Sequence, residues 1–246
     1  MDNPDQIKSL KTLIGKTEPD IICLQEVTPQ TVEFIKLLSN YYCSRCVDFA
    51  RPLNNSSNIK QEIYLVILSK FQIQNSFFGL NAPYNPNSLL AKFKGINQPR
   101  EFQYVDIIDS NNKYSNNKFR IFNLHLEMAT GSKRRLQEFG NILAHKNIDS
   151  TNLFCGDFNI FSRPMLNFLI GWGLGLSAKE YFMDERLQFN KLFATHNLDN
   201  IFSRKITYPK FRLQLDHILV PKNLQYQDKY VLSSCGSDHR PIMVEL

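Results

Sequence analysis

The stretch NLFCGDFNI, residues 152–160, decides the fold. Its first half has the apolar bulk and short length of a buried strand, and it runs directly into a Gly-Asp turn. The same arrangement recurs along the chain. DIICLQEV (20–27) is an apolar run that reaches Glu26. FRIFNLHLE (119–127) brings Asn123, His125 and Glu127, and LQLDHILVP (213–221) brings Asp216 and His217. The chain closes on GSDHRPIMVEL (236–246), where Asp238 and His239 stand directly before a last apolar strand.

Carboxylates rarely enter an apolar interior without a partner. Taken singly, Asp157 after Gly156 or Asp238 in its loop reads as a turn cap. Five strands with the same polar ends read together as an acidic, His-containing cleft where those ends converge. Such a cleft suits a hard divalent cation, which binds through a few carboxylates and polarises a phosphoryl oxygen. A His–Asp pair moves protons near neutral pH. The chain has no paired CxxC set, no HExxH and no Walker loop, so zinc hydrolase and P-loop ATPase chemistry lack support.

Between these strands the apolar period changes. Ile7, Leu10, Leu13 and Ile14 predict a helix over 5–16, with Gly15 as its stop. Pro29 opens a second helix through Val32, Ile35 and Leu38. Ser132 is expected to cap a third, running to about residue 146, with Leu136, Phe139, Ile142 and Leu143 on one face. Strand-like runs at 62–73, 88–95 and 101–108 are separated by Asn-, Ser- and Pro-rich clusters, and 229–234 and 241–246 close the chain as strands. Strands throughout, with helices in two blocks and no repeat or linker, predict one α/β domain over 1–246 with packed sheets.

Composition sets wider bounds. Of 246 residues 43% are hydrophobic and 21% charged, which describes a globular chain rather than a disordered one. The net charge of +6 favours a polyanionic partner, nucleic acid or anionic lipid, no more strongly than it favours plain solubility. Five Cys at irregular spacing exclude a disulfide framework; Cys43 and Cys46 form a lone CxxC read as structural. A reducing, cytoplasmic location and a monomer are expected. No run approaches the ~20 apolar residues of a membrane span, and the start, MDNPDQ, is no secretory signal.

In order, DIICLQEV, LVILSKFQI, FNLHLE, RRLQ, GDFN, LDHILV and SDHRPIMVEL resemble the motifs of the endonuclease/exonuclease/phosphatase superfamily, the fold of pancreatic deoxyribonuclease and exonuclease III. The resemblance spans residues 20–246. It implies a four-layer α/β sandwich, two mixed β-sheets packed face to face with helices outside, and hydrolysis of phosphoesters with Mg²⁺ or Mn²⁺. By motif position it implies Glu26 as the main metal ligand, with Asp238 near the metal. Asp157 would activate or orient the attacking water, and Asn159 would position that water or the phosphate. His239 would contact the scissile phosphate with Asp216 orienting its imidazole, and His125 would be the second His. KQEIYL points to Glu62 as the residue orienting that second His, and REFQYV to Arg100 as a phosphate contact. The plain alternatives are an exposed strand residue and a surface Arg. His217 alternates away from Asp216 and reads as structural; His145 and His196 have no motif context.

The resemblance has one departure. Members of the superfamily begin with a strand carrying Trp-Asn or a similar Asn, whereas this chain reaches its first helix almost at once. Either the start codon is misplaced, or the protein is a shortened member that lacks that strand and exposes the edges of its neighbours. Asn3, in a polar leader, takes no role. A phosphodiesterase acting on nucleic acid is the leading expectation. Competing with it are an inositol-phosphate phosphatase or sphingomyelinase-type phospholipase, for which FFGLNAPY (77–84) would be an aromatic lipid loop, and a catalytically impaired nucleic-acid-binding protein.

Overall fold

The computed structural model describes residues 4–35, 37–38, 40–52, 60–80, 88–89, 100–109, 117–161, 171, 173, 176 and 178–246. In chain order its main elements are α1 (Pro4–Thr17), β1 (Ile21–Val27), α2 (Pro29–Ile35), β2 (Tyr42–Pro52), β3 (Lys60–Ser69) and β4 (Ile73–Leu80). Then follow β5 (Glu101–Ile108), β6 (Lys118–His125), α3 (Ser132–Leu143), β7 (Thr151–Asp157), α4 (Glu185–Thr195) and β8 (Leu198–Asn200). The chain ends with β9 (Asp216–Pro221), β10 (Asp228–Val231) and β11 (Ile242–Glu245).

Six strands form a mixed sheet in the order β4-β5-β6-β7-β9-β8, with β6 and β7 parallel and the other neighbours antiparallel. Alternation along each strand divides its apolar residues between two faces. Val105, Ile107, Ile121 and Ile218 pack with Ile67 of β3, Ile21 and Cys23 of β1, and Ile242 and Val244 of β11. The opposite face presents Phe102, Tyr104, Phe122, Phe154 and Leu219 to Phe139 and Ile142 of α3 and to Phe189 and Phe193 of α4. On the far side of the second layer, Val32 and Ile35 of α2 cover Val66 and Leu68. The protein is therefore an α/β sandwich with its sheets face to face and helices outside.

The second layer is antiparallel and hydrogen-bonded as two pieces, β1-β3-β2 and β10-β11. Among the described residues β1 pairs only with β3 and β11 only with β10, so each keeps one edge without a strand neighbour. Asn123, fully buried, ties the layers: its Nδ2 donates to the carbonyls of Leu24 (2.9 Å) and Val66 (3.0 Å), and its Oδ1 accepts from Gln25 Nε2 (2.6 Å).

Local readings differ at several points. Gly15 does not end α1. The helix runs to Thr17, whose hydroxyl donates to Leu13 O, and it stops where Glu18 takes the left-handed conformation at φ 42°. Ser132 is the first residue of α3, not its cap. Gly131 holds the cap position, the buried Ser132 hydroxyl has no partner, and Glu180 accepts from Lys133 N instead. Phe77–Leu80 belong to the edge strand β4 rather than to a loop, and residues 81–84 lie outside the described residues, as do Asn3 and 90–95. The strand β2 escaped the pattern because Arg45 and Asp48 break its apolar alternation. No described helix is long and apolar enough to cross a membrane.

Candidate active site

Strand register assembles the site. His125 pairs with Asp157 across β6 and β7, and Asp157 pairs with Asp216 across β7 and β9. Residues opposite one another in register share a face, so the three side chains form one row. Gly156 makes the approach of β6 and β7 possible. It sits at φ +135°, and a Cβ there would lie 2.0 Å from Leu124 O.

The facing layer supplies two more carboxylates, each at an irregularity. The β1–β3 register shifts between Leu24 and Val27, and Glu26 sits there at φ 54°. Its carboxylate, 60% accessible, lies 3.9 Å from His125 Nε2, and Asp157 Oδ2 lies 3.8 Å from the same nitrogen. The β2–β3 register shifts between Val47 and Phe49, and Asp48 falls in that bulge. Asp48 Oδ2 is 2.6 Å from His125 Nδ1.

Behind this pair lies Arg100. Its Nη1 is 3.2 Å from both Asp48 oxygens and 3.1 Å from His125 Nδ1, its Nε donates to Glu127 (3.1 Å), and its guanidinium stacks on Phe49 at 4.2 Å. Burial alone would raise the pKa of Asp48. The charges of His125 and Arg100, with their hydrogen bonds, more than offset burial and hold it below the usual carboxylate range. Burial and Arg100 disfavour the imidazolium of His125, but Asp48 outweighs them and the pKa is raised.

The last member of the cluster comes from the loop before β11. Gln6 of α1 donates to Gly236 O (2.6 Å), and Gly236, at φ +86°, packs against that side chain. Ser237 Oγ accepts from His239 N (3.1 Å), which sets the loop's turn. His239 Nδ1 then lies 2.8 Å from Asp216 Oδ2, with its ring 4.9 Å from that of Tyr208. Burial opposes charge on His239, but the bond to Asp216 and the surrounding carboxylates raise its pKa to about 9. Asp157 is also raised above its ordinary value. Burial, reinforced by the charge of Asp216, raises it to about 6. Asn159, at φ 50°, donates its backbone N–H to Asp157 Oδ1 (2.8 Å) and its Nδ2 to Leu126 O (3.0 Å). Asp238 is exposed, and burial together with its nearby charge raises the pKa of the Tyr208 hydroxyl.

The fold thus gathers Glu26, His125, Asp157, Asn159, Asp216, Asp238 and His239. Two carried-over residues stand elsewhere. Glu62 does not orient His125. It is exposed on β3 and accepts from the Tyr64 hydroxyl (2.8 Å), while Asp48, from the neighbouring strand, occupies His125 Nδ1. Arg100 is neither a surface Arg nor a free phosphate contact, because its guanidinium is buried against Asp48 and Glu127. The motif reading missed Asp48 and Tyr208. The available signal for Asp48 was a lone carboxylate between Val47 and Phe49; for Tyr208 there was none beyond the basic residues around it in sequence.

Residues 1–239 match the model of the Endonuclease/Exonuclease/phosphatase family. The chain belongs to this family. Its members are phosphoester hydrolases, both nucleases and phosphatases. Among solved structures, the endonuclease/exonuclease/phosphatase protein of Beutenbergia cavernae shares the fold with a TM-score of 0.70 at 13% identity, over 99% of this chain and 66% of that one. The human Nocturnin catalytic domain with bound sulfate gives 0.66 at 17% identity, over 98% and 86%. An AP endonuclease of Archaeoglobus fulgidus gives 0.60 at 14%, over 97% and 93%. No curated protein matches in sequence.

The cluster's chemistry fits a hard divalent cation of the kind the family uses. The donors are oxygens, Glu26 is accessible, and the crowding of Asp157 by Asp216 is negative charge that a cation would relieve. Among the described residues no three His, Cys, Asp or Glu side chains gather closely enough to cage a metal alone.

His217 alternates to the helix side of β9. Its Nδ1 meets Asn200 Nδ2 (2.9 Å) and Gln214 Nε2 (3.2 Å), and its ring lies 5.1 Å from Phe158. Burial lowers its pKa from 6.5 to about 3, and Arg186 adds to the effect against the opposing charge of Asp216. Between those values the unfolded chain binds a proton that the native state refuses. Stability from this group is complete above pH 6.5 and falls on acidification by about 1.4 kcal/mol per pH unit. Urea unfolding at stepped pH should show this slope, and His217→Gln should flatten it by one proton; an unchanged slope would remove His217 as its source.

Proposed function

We propose that the protein is a divalent-cation-dependent phosphodiesterase that cleaves nucleic acid, with His125, Asp157, Asn159, Asp216 and His239 as its catalytic set. The observation that carries this reading is the register row His125–Asp157–Asp216 closed by the His239–Asp216 pair.

Glu26 would hold Mg²⁺ or Mn²⁺, with Asp238 close by; the cation, when bound, polarises a phosphoryl oxygen and stabilises the leaving one. Asp157, titrating at about 6, is a base matched to neutral pH and takes the proton of the attacking water. Asn159, tethered to both Asp157 and Leu126, orients that water or the phosphate. His239, charged up to about pH 9, offers positive charge to the non-bridging phosphate oxygens, and Asp216 fixes the orientation of its ring through Nδ1. His125 presents Nε2 to the same space while Asp48 holds Nδ1, so its free nitrogen serves the phosphate or the leaving oxygen. The net charge of +6 and the similarity of fold to an AP endonuclease support nucleic acid as the substrate.

The test is hydrolysis of plasmid DNA and of bis(p-nitrophenyl) phosphate. Chelator should abolish both activities and added Mg²⁺ or Mn²⁺ restore them. Glu26→Gln should shift the half-saturating metal concentration upward by about tenfold or more, and an unchanged titration would remove Glu26 from the site. Cleavage of the generic diester without plasmid cleavage would move the substrate to an inositol phosphate or a lipid headgroup. No cleavage of either by folded protein would overturn the reading in favour of a binding protein.

A further inference from the structure

The ten residues SRKITYPKFR, 203–212, contain Arg204, Lys205, Lys210 and Arg212 and no acid, so they carry +4 of the chain's formal +6. All four side chains are exposed. Two aromatic residues lie among them. Phe211 is 52% accessible, its ring is 5.9 Å from that of Tyr208, and Tyr208 in turn lies 4.9 Å from the ring of His239. The rings therefore step from the surface to the residue assigned above to the phosphate. Lys210 Nζ stands 5.8 Å from the Phe211 ring, and Arg240 is exposed beside His239.

This segment is held in shape. Tyr208 and Leu213 exchange backbone hydrogen bonds (2.9 and 3.0 Å), around a 3₁₀ turn at Pro209–Phe211 that ends on Arg212 at φ 53°. Thr207 Oγ1 accepts from the N–H groups of Leu215 and Asp216 (both 3.0 Å), and Thr207 O accepts from Arg240 N (2.7 Å). An exposed ring kept on a closed turn among cations has the parts of a sequence-tolerant single-strand site. The ring stacks an unpaired base, and the cations follow its phosphates. Little ordering entropy is lost, because the loop is already built.

We propose that the loop 203–212 is a subsite for an unpaired nucleotide flanking the scissile phosphate, with Phe211 as the stacking ring and Lys210 and Arg212 on the adjoining phosphates. The assignment deepens the phosphodiesterase reading and rests on it. It directs the enzyme to single-stranded or frayed nucleic acid rather than to intact duplex, whose bases are already stacked.

Fluorescence anisotropy in chelator, which prevents turnover, tests it with fluorescein-labelled oligothymidine, a hairpin duplex and phosphatidylserine vesicles as competitor. The wild type should bind the single strand more tightly than the hairpin. Phe211→Ala should weaken single-strand binding about tenfold, and Phe211→Tyr should restore it. The double variant Lys210→Ala/Arg212→Ala should reduce the slope of log K against log salt by about 1.4, the value for two phosphate contacts on a single strand. Equal binding by Phe211→Ala and wild type, equal affinity for hairpin and single strand, or binding to vesicles with none to oligothymidine would each overturn the subsite. Hydrolysis of bis(p-nitrophenyl) phosphate by the wild type needs no stacked base, so it tests the parent reading separately.

Discussion

His239→Ala is expected to lower kcat for phosphodiester hydrolysis by about 10²- to 10³-fold, the range for losing one group that stabilises transition-state charge. The side chain contacts Asp216 at 2.8 Å and Tyr208 at 4.9 Å between ring centroids. It remains 26% accessible, so its loss leaves water free to solvate Asp216. Thermal unfolding should therefore move by no more than about 2–4 °C, the equivalent of about 1 kcal/mol in a chain of this size. Near-native turnover by the folded variant would remove His239 from the site. A collapse of Tm in parallel with activity would reassign it to structure.

Asp48→Ala is expected to have the largest effect on stability and a large one on activity. Asp48 has no accessible side-chain surface and faces two partners, His125 Nδ1 at 2.6 Å and the Arg100 guanidinium at 3.2 Å. Removing one member of a buried ionic network leaves the others uncompensated, at about 3–5 kcal/mol. Glu127 still holds Arg100 Nε, so the imidazole loses the carboxylate on Nδ1 and its orientation with it. Asp48→Asn separates the two consequences. It keeps the shape, should cost less stability, and should still lower kcat by about 10²-fold with little change in KM. If the folded fraction of Asp48→Asn turned over like wild type, Asp48 would be a structural residue and not the one that positions His125.

Much of the fold was legible because its signals are local. The short apolar runs bounded by Glu26, Asp157 and Asp216, the Gly-Asp pair at 156–157 and the SDH loop each show their chemistry within a few residues. Alternation along a strand then forces Asp216 and His217 onto opposite faces whatever surrounds them. Glu62 and Arg100 failed for the opposite reason. Each was read from motif position, but the partner of a buried side chain is chosen by what the opposing layer brings near. Asp48 is 77 positions from His125 and 52 from Arg100, and it reaches them only through the bulge in the β2–β3 register. No periodicity in the segment 42–52 announces a bulge, since one extra residue changes which face a side chain takes without changing composition.

The sequence by itself determined most of the strands, β2 excepted, an α/β class with packed sheets, and which polar side chains stand at the strand ends, because propensity, alternation and turn chemistry act over neighbouring residues. Tertiary structure alone decided that Asp48 rather than Glu62 meets His125, that Arg100 is buried behind it, and that Tyr208 and Phe211 lead to His239. Those are contacts between distant segments, set by sheet register and layer packing, where a shift of one residue reverses the outcome.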